Sequence, residues 1–125
     1  RAIGYGMNLQ VSGAFLVQSE TDTTYLAEIQ QPSQTVLFAD AAFVTRATMN
    51  RPLDEWQEDA TRPRGCWTLR SAADPLWYFA PARLMPRHLG RANNAFVDGH
   101  AETLTPAQLG YGLPLRHPNN LWDRY

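Results

Sequence analysis

The chain has 125 residues, close to the typical size of a single domain, so we expect one domain over residues 1–125. Its 11 basic and 12 acidic residues give a net charge of −1, which predicts no basic surface for nucleic acid or an anionic membrane. It also lacks the run of about 18 apolar residues that a membrane-spanning helix needs.

The first half of the sequence predicts a region rich in β structure. Residues 8–18 are rich in apolar side chains and residues 23–29 alternate in part, so neither stretch fits a long helix. Residues 35–39 form a continuous apolar run, which is typical of a central strand covered on both faces. Asp40 follows, where its carboxylate could cap a turn or meet another site at the sheet edge.

Residues 46–64 are polar and predict a long loop with one helical turn at residues 53–58, because Asp54 and Glu55 suit the start of a helix. The acidic cluster of Asp54, Glu55 and Glu58 favours a solvated face. Long loops often carry function, so a contact of Trp56 with a ligand or a subunit is the alternative.

Cys66 is the one cysteine of the sequence, so no intrachain disulfide can form. Next to Arg64 it could be a reactive thiol, but a small buried residue at the start of a strand is favoured. We predict short strands at residues 66–69 and 76–79, joined by a turn at residues 71–75.

The clearest hairpin signal lies near residue 98. Residues 92–97 and 100–104 are predicted strands, joined by a two-residue Asp98-Gly99 turn that needs positive φ angles. Residues 105–110 then predict a short helix, with threonine as N-cap, proline at the first position and glycine as the stop.

The tail, residues 111–125, is irregular but too apolar for a free end. We expect it to pack on its own domain or on a neighbouring subunit. The apolar side chains behind this expectation are Leu113, Leu115, Leu121, Trp122 and Tyr125.

Two histidines flank the hairpin and allow two interpretations. Asp40, His88, Asp98 and His100 could together hold a divalent cation; calcium would need more oxygen ligands, whereas zinc accepts histidine. In the favoured interpretation, Asp98 and Gly99 simply form the turn, and His88 hydrogen-bonds its backbone or Asp98, because an Asp-Gly turn needs no ion.

Three segments together resemble the prepilin-type proteins named for a His-x9-Asp-Gly motif. Residues 31–40 are similar to the family's Pro-Ser-x-Thr-Val-Leu-x-x-Asp strand, and residues 5–8 to its Tyr-Gly-x-Asn element. The third segment carries the motif itself, through Arg87, His88, Gly90, Asn93, Phe96, Asp98, Gly99 and His100.

The resemblance implies a pilin-like head domain of the α+β class, mostly β, with a small antiparallel sheet, long loops and one or two short helices. It also implies a structural role at the cell surface, in an extracellular filament, pilus or pseudopilin assembly made of copies of this chain or related subunits. The motif would then be a structural clasp. We expect subunit contacts at Trp56, Trp122 and Tyr125.

The sequence departs from the family at its start. It begins at Arg1, without the basic leader, processing site and long apolar helix that the family carries. We therefore expect a processed or truncated chain, with membrane contact only through a missing N-terminal segment.

Two other classes of function remain as alternatives. A surface module could bind carbohydrate or protein through exposed Trp56, Trp67, Trp77 or Trp122. A metal-dependent enzyme would need its histidines around an open coordination position, and the sequence offers neither a nucleophile elbow nor a dinucleotide-binding motif. We predict no enzymatic activity.

Overall fold

The computed structural model describes residues 4–9, 26–62, 66–71, 77–79, 81–114 and 116–122. These ranges contain six strands: β1 (Tyr5–Asn8), β2 (Val36–Phe43), β3 (Thr68–Leu69), β4 (Ala82–Leu84), β5 (Ala92–Phe96) and β6 (Ala101–Leu104). They also contain three 3₁₀ turns of three residues each, Leu26–Glu28, Pro32–Gln34 and Leu53–Glu55. None of the helices in these ranges is long and apolar enough to cross a membrane.

The strands form one sheet in the order β3-β1-β2-β5-β6, with β4 also paired to β2. β2 is its centre, as the continuous apolar run predicted, and every pairing is antiparallel except that of β1 with β3. The first part of β2 pairs with β5 and its last three residues pair with β4. β2 therefore changes partner at about Asp40.

The expected α+β pilin-like head with an antiparallel sheet is wrong. The described part of the chain is mostly β, its sheet is mixed, and none of its helices reaches seven residues. The helix expected at residues 105–110 is a series of turns, although Thr105 Oγ1 accepts the Gln108 N–H at 3.2 Å, as an N-cap would. A left-handed Gly110, with φ of 63°, ends the segment within one turn.

Other local predictions were wrong or were confirmed only in part. Of the helical turn expected at residues 53–58, only Leu53–Glu55 forms. Leu26–Glu28 is a 3₁₀ turn where a strand was expected, and residues 77–79 form a turn rather than a strand end. Residues 10–25, which include most of the predicted N-terminal β region, lie outside the described residues.

The buried apolar side chains form two clusters, and the tail belongs to the larger one. The Val36 N–H donates to Leu121 O at 2.7 Å, and Asn8 Nδ2 donates to both Val36 O and Trp122 O at 2.9 Å. The described part of the tail thus packs on its own domain. The buried apolar cluster includes Val36, Ala39, Leu69, Leu84, Phe96, Leu109, Tyr111 and Trp122.

Gly6 fills a position in β1 where no side chain fits. A Cβ there would lie 2.8 Å from the Ala41 Cβ and 3.1 Å from the backbone carbon of Thr68. Two strands therefore approach β1 closely only because this residue is glycine. Together with the bridging Asn8 amide, this gives both Gly6 and Asn8 of the Tyr-Gly-x-Asn element a packing role.

Candidate functional site

The first histidine of the motif lies in a tight turn between β4 and β5. The His88 N–H donates to Arg91 O at 3.0 Å and the Arg91 N–H donates to His88 O at 3.1 Å, which closes a two-residue loop. Both loop residues are left-handed, Leu89 with φ of 53° and Gly90 with φ of 78°. This is the geometry of a type I′ hairpin turn, so Gly90 is used for its positive φ.

That turn brings His88 to Asp40, where β2 changes partner. The Met85 N–H donates to the Asp40 backbone carbonyl at 3.0 Å, and the Asn93 N–H donates to Asp40 Oδ2 at 2.8 Å. The carboxylate thus accepts a backbone N–H of β5 near the gap between β4 and β5. His88 Nε2 lies 3.1 Å from the same Oδ2, and the Asp40 side chain is fully buried.

The charge of Asp40 decides the tautomer of His88. Asn93 Nδ2 also lies 3.1 Å from His88 Nε2, and an amide NH₂ can only donate. Because a buried carboxylate beside Nε2 needs a donor more than the amide needs an acceptor, we place the proton on Nε2, where it donates to Asp40. The Asn93 side chain is instead held by the Thr103 hydroxyl, which donates to its Oδ1 at 2.8 Å.

A partly buried ion pair adjoins this cluster. Arg87 donates to both carboxylate oxygens of Glu58, at 2.9 and 3.4 Å, and to Ala41 O at 3.1 Å. Through Arg87, Glu58 of the long loop is held next to β2. The sequence suggested only a solvated acidic face for Glu58, because a contact between residues so far apart in the chain leaves no local pattern.

The second histidine belongs to a separate cluster. The His100 ring stacks on Phe96 with centroids 4.3 Å apart, and its Nδ1 and Nε2 lie 2.5 Å from Asp98 Oδ1 and 3.1 Å from Glu102 Oε2. The hairpin loop has three residues, since the Phe96 N–H donates to His100 O, and only Gly99 in it is left-handed, with φ of 94°. The predicted two-residue turn with two positive φ angles is therefore wrong.

The expected cation ligands do not come together. His88 contacts Asp40, and His100 contacts Asp98, so the four side chains form two separate pairs. Residues 4–9, 26–62, 66–71, 77–79, 81–114 and 116–122 contain no cluster of three or more His, Cys, Asp or Glu side chains that could hold a metal. The expectation that His88 hydrogen-bonds the Asp98 turn is also not met, because its partner is Asp40.

No family model, curated protein or solved structure matches this chain. The resemblance to the His-x9-Asp-Gly proteins thus stays a prediction that rests on the three segments. In the fold, these segments lie side by side: Tyr5–Asn8 is β1, and Asp40 of the second segment meets His88 and Asn93 of the third.

A cluster of aromatic rings around Arg83 and Tyr111 is a second feature of the structure. The guanidinium carbon of Arg83 lies 3.4 Å from the Trp77 ring centroid and 5.1 Å from that of Trp56. Tyr111 contacts both tryptophans edge-on and also Trp122, with centroids 5.0 to 6.2 Å apart. Burial raises the pKa of the Tyr111 phenol, which accordingly stays neutral and donates to Arg70 O.

These contacts revise the expected surface roles of the tryptophans. Trp122 is fully buried and cannot offer a subunit contact, while Trp56 is half-buried against Trp77. Tyr125, the third expected contact, lies outside the described residues. Trp67 is 88% exposed. Sequence reasoning missed this cluster because ring contacts link distant segments.

An open apolar groove of about 590 Å³ lies beside the aromatic cluster. It runs between the 3₁₀ turn at Leu53 and the turns that follow β6, and Asp54 is a charged residue in its lining. The remaining lining is apolar or small: Leu53, Thr105, Pro106, Ala107, Gly110, Tyr111, Gly112 and Leu113.

Cys66 is buried, and burial raises the pKa of its thiol to about 11. The thiol is therefore protonated at neutral pH, when only a thiolate would be a nucleophile or a metal ligand. This agrees with the favoured interpretation of a small buried residue.

The His100 cluster predicts a pH-dependent hairpin. Hydrogen bonds to Asp98 and then Glu102 raise the pKa of His100 above its ordinary 6.5, while the bond from His100 lowers the pKa of Asp98 below 3.8. The contribution of His100 to stability is full below pH 6.5 and is lost as pH rises through its raised pKa; that of Asp98 is full above pH 3.8 and is lost as pH falls through its lowered pKa. The pair therefore stabilises the hairpin most between pH 3.8 and pH 6.5.

An NMR titration of the His100 ring checks this. We expect Asp98→Asn to lower the pKa of His100 more than Glu102→Gln does, because Asp98 is the larger cause of the shift. An equal or larger effect of Glu102→Gln would contradict the geometry.

Proposed function

We propose that the chain is a structural subunit of an extracellular filament, of the pilus or pseudopilin kind, assembled from copies of itself or related subunits. The observation that carries the proposal is a contrast between polar and apolar side chains. His88 and Asn93 of the motif bond to the buried Asp40 carboxylate, whereas several large apolar side chains, including Leu89 of the motif, face solvent.

The contacts of Asp40 support a structural role. Its Oδ2 accepts from Asn93 and His88, and the Thr103 hydroxyl holds the Asn93 amide, whereas Asp40 Oδ1 is buried without a hydrogen-bond partner among the described residues. A general base or a metal ligand needs an approachable lone pair, and the Asp40 side chain is fully buried. We infer that this cluster fixes the sheet rather than reacting with a substrate.

The exposed apolar side chains support a protein partner. Trp67 is 88%, Phe79 72% and Tyr78 68% exposed, and Leu89 is fully exposed. Large aromatic side chains are enriched at protein interfaces, and exposing several of them is costly in an isolated soluble domain. A subunit that buries them against neighbours avoids that cost.

The alternative, a surface binding module, is less well supported. Three of the four tryptophans that it would use lie in the aromatic cluster: Trp56 and Trp77 contact each other at a tilt of 53°, and Trp122 is in the core. Of this set, only Trp67 is strongly exposed among the described residues. A flat platform of several indole rings for a sugar is therefore not formed.

Electron microscopy of native surface material, with the chain marked by a specific antibody, tests the proposal. We expect filaments labelled along their length, with a constant axial repeat in averaged images. Label confined to isolated, monodisperse particles would reject the filament role and favour the binding module.

A further inference from the structure

We propose that the turn at Leu89 of one copy docks into the apolar groove of a second copy, with Arg91 of the turn paired to Asp54 of the groove. The inference rests on the proposed filament and names the contact that would build it. It starts from Leu89, whose backbone conformation and exposed side chain are both unfavourable in the isolated chain.

Leu89 is unfavourable in both its backbone and its side chain. Its φ of 53° lies in the left-handed region, where a Cβ is crowded and where glycine or asparagine is usual. Its side chain is fully exposed, so it contributes no apolar burial within its own domain. Strain at an exposed apolar residue is explained if the side chain is buried in a complex.

The groove offers what such a side chain needs. Its lining includes Leu53, Pro106, Ala107 and Leu113, and about 590 Å³ of open space is enough for a leucine side chain with part of its turn. The groove belongs to the same chain, so each copy carries both halves of the contact. The turn at residues 89–91 and the groove share no residue.

Charge complementarity selects a second copy of this chain as the occupant. Arg91 is exposed two residues after Leu89, and Asp54 is exposed in the groove lining. Neither side chain has an ion-pair partner within the described ranges. A leucine seated in the groove would bring a cation and an anion together at its edge, which fixes orientation as well as partner.

The contact is heterologous, because it joins two different surfaces. Such a contact leaves one free turn and one free groove at the ends of every oligomer, and it grows into an open chain unless its rotation closes a ring. The geometry therefore suits a filament better than a closed dimer.

Charge reversal with rescue tests the contact. Arg91→Glu, Asp54→Arg and the double variant are produced in full length by the host cell, and the assembled fraction is measured by sedimentation and microscopy. Each single variant should raise the concentration needed for assembly at least about ten-fold, because like charges then face each other. The double variant should return to within about three-fold of the natural chain, since it restores an opposite pair.

Leu89→Gly separates assembly from folding. Glycine accepts the left-handed φ, so thermal unfolding of the purified variant should occur at the same or a higher temperature than in the natural chain. Its assembly should nevertheless fall, because the apolar side chain is gone. Loss of assembly with a lowered unfolding temperature would instead indicate a folding defect and overturn the inference.

The remaining outcomes distinguish the two proposals. If the natural chain assembles and none of the variants changes this, the contact is wrong and the filament role stands. If Asp54→Arg impairs assembly and Arg91→Glu does not, the groove receives a different partner, which also overturns the contact. If the natural chain never assembles, both proposals fail.

Discussion

Replacing Asp40 with alanine is expected to lower the free energy of unfolding by about 3 kcal/mol, because the substitution removes a buried acceptor shared by two donors. The Asn93 N–H would lose its partner where β2 changes from β5 to β4, and His88 Nε2 would face a small cavity. A backbone donor without a partner in the interior keeps its full desolvation cost. Denaturant unfolding of the purified variant measures the loss.

Three further variants resolve this cluster. Asp40→Asn keeps an acceptor but loses the charge, so we expect a loss of about 1–2 kcal/mol. Asp98→Ala is the matched control at an exposed carboxylate and should cost much less. Asp40→Ala and His88→Ala should not add in the double variant, because each removes the same contact. Strict additivity would show that the two side chains do not interact.

The local parts of the fold could be predicted from the sequence. The apolar run at residues 35–39 predicted the central strand, and the Asp98-Gly99 dipeptide predicted the β5–β6 hairpin, because both signals act between neighbouring residues. The helix at residues 105–110 failed although its cap formed, since Gly110 turns the chain back after a single turn and a Cβ there would lie 2.0 Å from Asn119 O.

The candidate site was much less predictable. Asp40 was expected to cap a turn or to meet another site, and the pairing with His88 could not be chosen from the sequence because 47 residues separate the two. The type I′ turn at Leu89 had no signal, since leucine rarely adopts a positive φ. Because that turn could not be predicted, the contact between His88 and Asp40 of β2 could not be predicted either.

The burial of Arg83 could not be predicted from the sequence either. The sequence contains arginine and no lysine among its basic residues, which favours planar contacts in general but selects none of the eleven. Only the fold brings this one against two indole rings, with Nη1 donating to Met49 O at 3.2 Å and Nη2 donating to Trp77 O. Burial lowers the pKa of Arg83 to about 10, so it remains a cation at neutral pH.

Replacing Arg83 with alanine is therefore expected to lower the free energy of unfolding by about 3–4 kcal/mol, through loss of desolvated cation–π contacts, of two hydrogen bonds and of packing volume. Arg83→Lys retains the charge but not the planar fork, and we expect it to cost about 2 kcal/mol. Arg51→Ala is the control: its ion pair with Glu55 spans 3.6 Å at the surface, and removing it should cost less than about 0.5 kcal/mol.

Near-ultraviolet circular dichroism distinguishes the causes of these losses. If stacking on the indoles holds the guanidinium, both Arg83 variants should weaken the aromatic signal under conditions in which the far-ultraviolet spectrum is unchanged. If Arg83→Lys is as stable as the natural chain, a simple positive charge suffices and the planar stacking contributes nothing. Tyr111 of this cluster and the adjacent Leu53 also line the apolar groove. Looser packing of the rings should therefore also weaken assembly through the groove.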